Sequence, residues 1–171
     1  MDAYQAIVSK RDTRHFAPRP ISDDLIGRIL QAGRMAGSSK NTQPVRMVVL
    51  RGPERLKEIA ACGQFATHVP GCAVAVAVVL TPGGGQFDAG RAAQNMMVAA
   101  WSEGVSSCPT SMHDGECART TLGLPEGHSV AILLAMGYVE EGRSIHGGRQ
   151  RLSVAELTHW DRWESGRLGS E

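Results

Sequence analysis

The run Cys72-Ala-Val-Ala-Val-Ala-Val-Val-Leu80 is the segment that most restricts what this chain can become. Nine consecutive apolar residues are too few to cross a bilayer, which takes about 20. β-branched residues alternate with alanine, so the run reads as a strand, and because neither face is polar it must be covered on both sides. The alanines at 73, 75 and 77 fall on one face and would admit close packing there. A central strand buried on both faces demands layers above and below it, and the rest of the chain must supply them.

Helical periodicity fills that role. Residues 2–10 fit a short amphipathic helix, which Pro18 and Pro20 prevent from continuing. Ser22 is an N-cap followed by Asp23 and Asp24, and the apolar spacing then runs to about Met35. Pro53 opens a helix through Ala60, Phe87 to Glu103 form a long one rich in Ala and Met, and Asp114 caps another that stops at Gly123 before Pro125. A last helix is expected over Val154–Trp163. Further strands are expected at Val45–Arg51, at Val105–Ser107, which leads into Cys108-Pro109-Thr110-Ser111, and at Val130–Met136. The chain of 171 residues, with no repeat or linker, is expected to form a single domain spanning 1–171.

Net charge is +1, which gives no global reason to bind nucleic acid or a membrane surface. The charge is unevenly placed. Lys10, Arg11, Arg14 and Arg19 outweigh Asp12, and Arg143, Arg149 and Arg151 have no acid among them, leaving the remainder of the chain acidic. Arginine forks match phosphate bidentately, so the segment Lys10 to Phe16 and the Arg149-Gln150-Arg151 pair are candidate anion clamps as well as ordinary solvated charge. The polar loop Gly37 to Pro44 carries hydroxyls and amides able to meet the carbonyl and imide edge of a heterocycle.

Other chemistries lack their signatures. The Gly83-Gly84-Gly85 turn has no Gly-Lys-Ser/Thr ending, no Gly-x-Ser-x-Gly elbow is present, and no Gly-x-Gly-x-x-Gly follows a strand. His113-Asp114-x-x-Cys117 has no second ligand pair, so no metal site is expected. The four cysteines, 62, 72, 108 and 117, allow three pairings; without a leader pattern at the N-terminus, reduced thiols in the cytoplasm are the expectation.

The motifs gain meaning from their order. Arg11-Asp-Thr-Arg-x-Phe16, then Pro18-x-Pro-Ile-Ser22, then a helix and Gly37-Ser-Ser-Lys-Asn-Thr-Gln-Pro44, resembles the N-terminal signature of the FMN-dependent nitroreductase family. Ala93 to Ala100, Glu103 to Pro109, Leu122-Gly-Leu-Pro125, Ala135-Met-Gly-Tyr138 and Arg149-x-Arg-Leu-Ser153 extend the resemblance from about Tyr4 to Trp163.

It implies an α+β three-layer sandwich with a mixed, mostly antiparallel sheet, assembled as a homodimer with FMN at the interface. It also implies that Lys10, Arg11 and Arg151, with Arg149, hold the FMN phosphate and that Asp12 faces the ribityl chain. Arg14 is implied beside N1 of the isoalloxazine, as electrostatic support for the charge of the reduced ring. Ser38, Ser39 and Asn41 would come from the second subunit, Gln43 would also bind the cofactor, and Cys108, Pro109 and Thr110 would lie against the ring.

The implied activity is ping-pong hydride transfer from NADH or NADPH to a nitroaromatic, a quinone or another small electron-poor acceptor, the flavin and not a side chain doing the chemistry. Alternatives within the resemblance are an oxygen-using flavin enzyme and an FMN-binding protein without efficient turnover. Departures from the family pattern are Lys10 where arginine is common, Asp12 where serine is common, Gly37 where proline is common, and a connection of only Thr81 to Gln86 where larger members insert a lid.

Overall fold

The structure is a computed structural model, and residues 1–143 and 151–163 of it are described. Four strands, β1 (Val45–Leu50), β2 (Val74–Leu80), β3 (Ser106–Thr110) and β4 (Ser129–Gly137), form one sheet in the order β1-β2-β4-β3. Every neighbouring pair is antiparallel, with a bulge in the β2–β4 register at Val78/Val79. The parallel component is an isolated bridge between Asp12 and Ser107.

The doubly apolar run is the centre of this sheet, and all seven residues of β2 are buried. Val74, Val76, Val78 and Leu80 point to one side, where they meet α2 (Asp23–Arg34) and α4 (Gln86–Ser102). Ala75, Ala77 and Val79 point to the other, against Leu56 and Ile59 of α3 (Pro53–Ala60), Val69, and Ala118 of α5 (Gly115–Leu122). Three layers result. Ala73 precedes the strand and packs on the valine side, so the expected three-alanine face is two alanines long.

Local chemistry sets the helix ends. Asp2 caps α1 (Ala3–Ser9) by accepting from the Gln5 N–H, Ser22 caps α2 through the Leu25 N–H, and Asp114 caps α5 through the Cys117 N–H. Gly123 ends α5 at φ +63, a left-handed position that glycine takes without a Cβ clash. A Cβ on Gly33 would stand 2.7 Å from Met96 Cγ, so this glycine lets α2 approach α4. Met96 and Met97 are core residues.

Three expectations need correction. β3 extends through Cys108, Pro109 and Thr110 instead of stopping at Ser107. It is an edge strand, where a proline without an N–H costs no interior ladder bond. The last helix, α6 (Val154–Leu157), is a single capped turn and does not reach Trp163. Cys62 and Cys117 are joined in a disulfide, against the expectation of four reduced thiols; Cys72 and Cys108 are free and buried.

Candidate functional site

The basic segment after α1 is fastened along the outer side of β3. Asp12 bridges Ser107, the Thr13 N–H donates to the Ser107 carbonyl at 3.1 Å, and the Ala17 N–H donates to the Tyr138 carbonyl at 2.8 Å. Phe16 presses on Gly137, where a Cβ would lie 2.8 Å from its ring. These bonds bring Lys10, Arg11, Asp12 and Arg14 beside Cys108, Pro109 and Thr110, a juxtaposition of residues almost 100 positions apart.

The charged groups at this edge differ in how they are committed. Lys10, 11% exposed, is ion-paired with Asp12, 50% exposed, and its Nζ lies 3.6 Å from Met97 Sδ. Arg11 donates from Nη1 to the carbonyls of Val8 and Lys10. Arg14 is exposed and makes no hydrogen bond or ion pair among the described residues. A cation held on a fastened backbone but without an internal partner is suited to meet an anionic ligand. Arg151 is exposed, and Arg149 lies outside the described residues.

His68, not singled out from the sequence, belongs to the same corner. Its Nε2 and the Thr110 hydroxyl form a hydrogen bond of 3.0 Å. Burial, and next the positive field of Arg14, push its pKa below the ordinary 6.5, while the nearby Phe65 carbonyl acts in the opposite direction. Its Nδ1 is buried without a hydrogen-bond partner of normal geometry among the described residues, as is the Ser107 hydroxyl. A lone histidine in a loop gives no periodic signal; the contact depends on a fold that brings residue 68 to the end of β3.

The polar loop lies elsewhere. Ser38, Ser39, Asn41 and Gln43 precede β1 at the other edge of the sheet. There the Gln43 N–H donates to Ser38 Oγ at 2.9 Å, and Lys40, Asn41 and Gln43 all adopt positive φ, at 50, 55 and 48. Gly37 and Ser38 line a cleft of about 180 Å³ with Gln43, Pro44 and Asp88. Three inter-strand steps separate the two edges, roughly 14 Å. Register also places them at opposite ends: Val45 aligns with Leu80 and Ser129, whereas Ser107 aligns with Met136 and Val74. The two groups of candidate residues therefore occupy diagonally opposite corners of one sheet.

No group of three or more His, Cys, Asp or Glu suited to a metal occurs among the described residues, and no helix among them is long and apolar enough to cross a membrane. The expected short connection is present, with β2 ending at Leu80 and α4 starting at Gln86.

The chain has relatives across nearly its full length. An NADH dehydrogenase of Thermus thermophilus is 29% identical over 203 residues, covering 94% of this chain and 96% of the relative. A solved protein of Desulfovibrio desulfuricans, assigned to the nitroreductases and in complex with FMN, matches with a TM-score of 0.81 at 28% identity, over 92% of this chain and 95% of its own. The NADPH:FMN oxidoreductase of Vibrio harveyi complexed with NAD+ shares the fold, with a TM-score of 0.85 at 23% identity over 97% of this chain and 80% of its own. The model of the Nitroreductase family matches residues 7–78 and 83–138. The three-layer antiparallel fold, the ordered motifs and these matches agree: the chain belongs to the Nitroreductase family.

Proposed function

We propose that this protein is an FMN-dependent NAD(P)H oxidoreductase that acts in the cytoplasm as a homodimer, with one flavin site at each end of the dimer interface. The observation that carries the reading is the diagonal separation of the two candidate clusters. Residues 10–14 with 108–110 sit at one corner and residues 38–43 at the other. A single copy cannot wrap one small ligand with both, whereas two copies related by a twofold axis can offer one corner each. Exposed apolar side chains support such an interface: Tyr4 is 75% exposed, Ile7 58% and Val8 50% on α1, and Met35 is 64% exposed beside them.

The residues fit the cofactor. Lys10, Arg11 and Arg151, with Arg149, supply cations for the FMN phosphate, and Asp12 an acceptor for ribityl hydroxyls. The backbone of Cys108, Pro109 and Thr110 gives a flat, rigid edge for the ring. Arg14, without a partner among the described residues, would face the pyrimidine end, where a fixed cation stabilises developing negative charge without reorganising. Ser38, Ser39, Asn41 and Gln43 would meet the same ligand from the second copy. FMN, when bound, supplies hydride exchange with NADH or NADPH and then with an electron-poor acceptor such as a nitroaromatic or quinone. With residues 81–85 too short for a lid, the chain itself leaves the acceptor side open.

Gel filtration after incubation with FMN should yield a yellow dimer, and anaerobic stopped-flow with NADH or NADPH should bleach the flavin and a quinone restore it. A colourless protein would overturn the cofactor assignment. A yellow protein that neither donor reduces would leave a flavin-binding protein and overturn the oxidoreductase. Arg14→Ala should slow flavin reduction by about 100-fold and more than Arg149→Ala does, the scale of losing one preorganised electrostatic group.

A further inference from the structure

Cys62 and Cys117 lie 55 residues apart with Cα atoms 5.5 Å from each other, and their disulfide joins the loop after α3 to the first turn of α5. The same two stretches are held together by smaller contacts. The Asp114 N–H donates to the Cys62 carbonyl at 3.1 Å, the Gln64 N–H donates to His113 Nδ1 at 3.2 Å, the Phe65 and His113 rings meet edge-on at 5.4 Å, and His68 bonds Thr110 at 3.0 Å. The second stretch continues directly from β3. Whatever fixes it fixes the end of the strand that carries Cys108, Pro109 and Thr110.

The surroundings of the bond accommodate its reduced state. Cys62 is 2% exposed, and a buried thiol released there would ordinarily lack a partner. Instead, Cys62 Sγ lies 3.8 Å from the Glu58 carbonyl and 3.6 Å from the Thr121 hydroxyl, so either can take its S–H. Cys117 is half-buried, the more exposed residue of the pair, and so the side from which an incoming thiolate would approach. The other cysteines are unsuited to exchange: both are buried, and desolvation pushes the Cys72 thiol up to about 11.

We propose that Cys62–Cys117 is a redox-operated clip on the flavin-facing end of β3, closed as the disulfide and opened by a dithiol reductant. This rests on the reading that Cys108 to Thr110 face FMN. In opening, a thiolate of the dithiol attacks Cys117 Sγ, the Cys62–Cys117 bond breaks, and Cys62 leaves as a thiolate that takes up a proton. The second thiol of the reductant then attacks its own sulfur in the mixed disulfide, and Cys117 leaves and is protonated. The clip gains two electrons and two protons, and the reductant becomes a disulfide. The 62–68 loop then loses its covalent tie to the 110–117 stretch, and the His68–Thr110 contact loosens. Because coupling is reciprocal, bound FMN should in turn slow the opening.

The test compares protein purified in air, the same protein treated anaerobically with dithiothreitol and desalted, and Cys117→Ser. Alkylation under denaturing conditions should count two free thiols in the first and four in the second. Hydrogen exchange should rise in residues 62–68 and 110–114 on reduction, FMN should bind about tenfold more weakly in a fluorescence titration, and reoxidation should reverse both. Cys117→Ser should match the reduced protein; should it fail to fold, reduced wild type carries the comparison. Four free thiols in air, or unchanged exchange on reduction, would overturn the clip. Raised exchange with unchanged FMN affinity would overturn its link to the flavin site. Failure of the oxidised protein to bind FMN would instead defeat the cofactor assignment, and exchange alone would then decide whether the clip exists.

Discussion

The two edges of the sheet are built in opposite ways. At the β3 edge, residues from four separate stretches are locked together by the Asp12–Ser107 bridge, the His68–Thr110 hydrogen bond, the Phe16–Gly137 contact and the Cys62–Cys117 disulfide. At the β1 edge, the 37–44 loop is tied at its ends, where Arg91 donates to the Gly37 carbonyl at 2.7 Å and the Thr81 N–H to the Pro44 carbonyl at 2.9 Å, while its middle is shaped by the Ser38–Gln43 bond and three non-glycine residues at positive φ. The first edge is fastened by long-range contacts and carries the fixed cations. The second is an exposed turn in which Ser39, Asn41 and Gln43 are open to solvent. The difference shows that candidate binding groups of one chain can sit on supports of very different rigidity.

Four substitutions or conditions should separate these edges, beginning with the largest effect. Replacing both Cys62 and Cys117 by Ala removes a 55-residue closure and should lower stability by about 4 kcal/mol, seen as a melting temperature lower by roughly 10 °C in calorimetry. An unchanged Tm would mean that the β3 edge is not held by this bond. Gly137→Ala places a methyl against Phe16 and should cost about 2 kcal/mol in a urea titration. A neutral result would show that the 12–17 segment can shift freely along the strands.

Gln43→Gly at the other edge should behave differently. It relieves the φ +48 position, so stability should stay within about 1 kcal/mol of wild type while FMN affinity falls through the lost amide. Equal losses of stability at both edges would collapse the contrast. The smallest effect is a slope. The folded-state pKa of His68 is lowered, so the unfolded chain binds its proton more readily. Stability should therefore be fully present above about pH 6.5 and decline as pH falls below it, and His68→Gln should remove that part of the Tm-versus-pH curve. A curve identical in the variant would show that His68 is not held neutral.

Much of the fold is written in local pattern. The doubly apolar 72–80 run requires a covered central strand, and Ser22, Asp114 and Gly123 mark helix ends that the structure reproduces, because each signal acts within one turn of the backbone. Local pattern ends β3 at Ser107, two residues before Pro109, because a proline argues against an interior strand and nothing local reveals that a strand is at an edge. Likewise, the candidate residues 10–14 and 38–43 stand out by type and order, whereas their placement at opposite corners does not.

Local pattern was enough for the covered central strand, for the capped ends of α2 and α5 and for which residues carry charge or hydrogen-bonding edges, since periodicity and capping are properties of neighbouring residues. Only the tertiary arrangement settles which cysteines pair, that His68 reaches Thr110, and that Arg14 has no hydrogen-bond or ion-pair partner among the described residues. Those outcomes depend on chain segments dozens of residues apart arriving within a few ångströms, and the packing of the whole core sets that arrival.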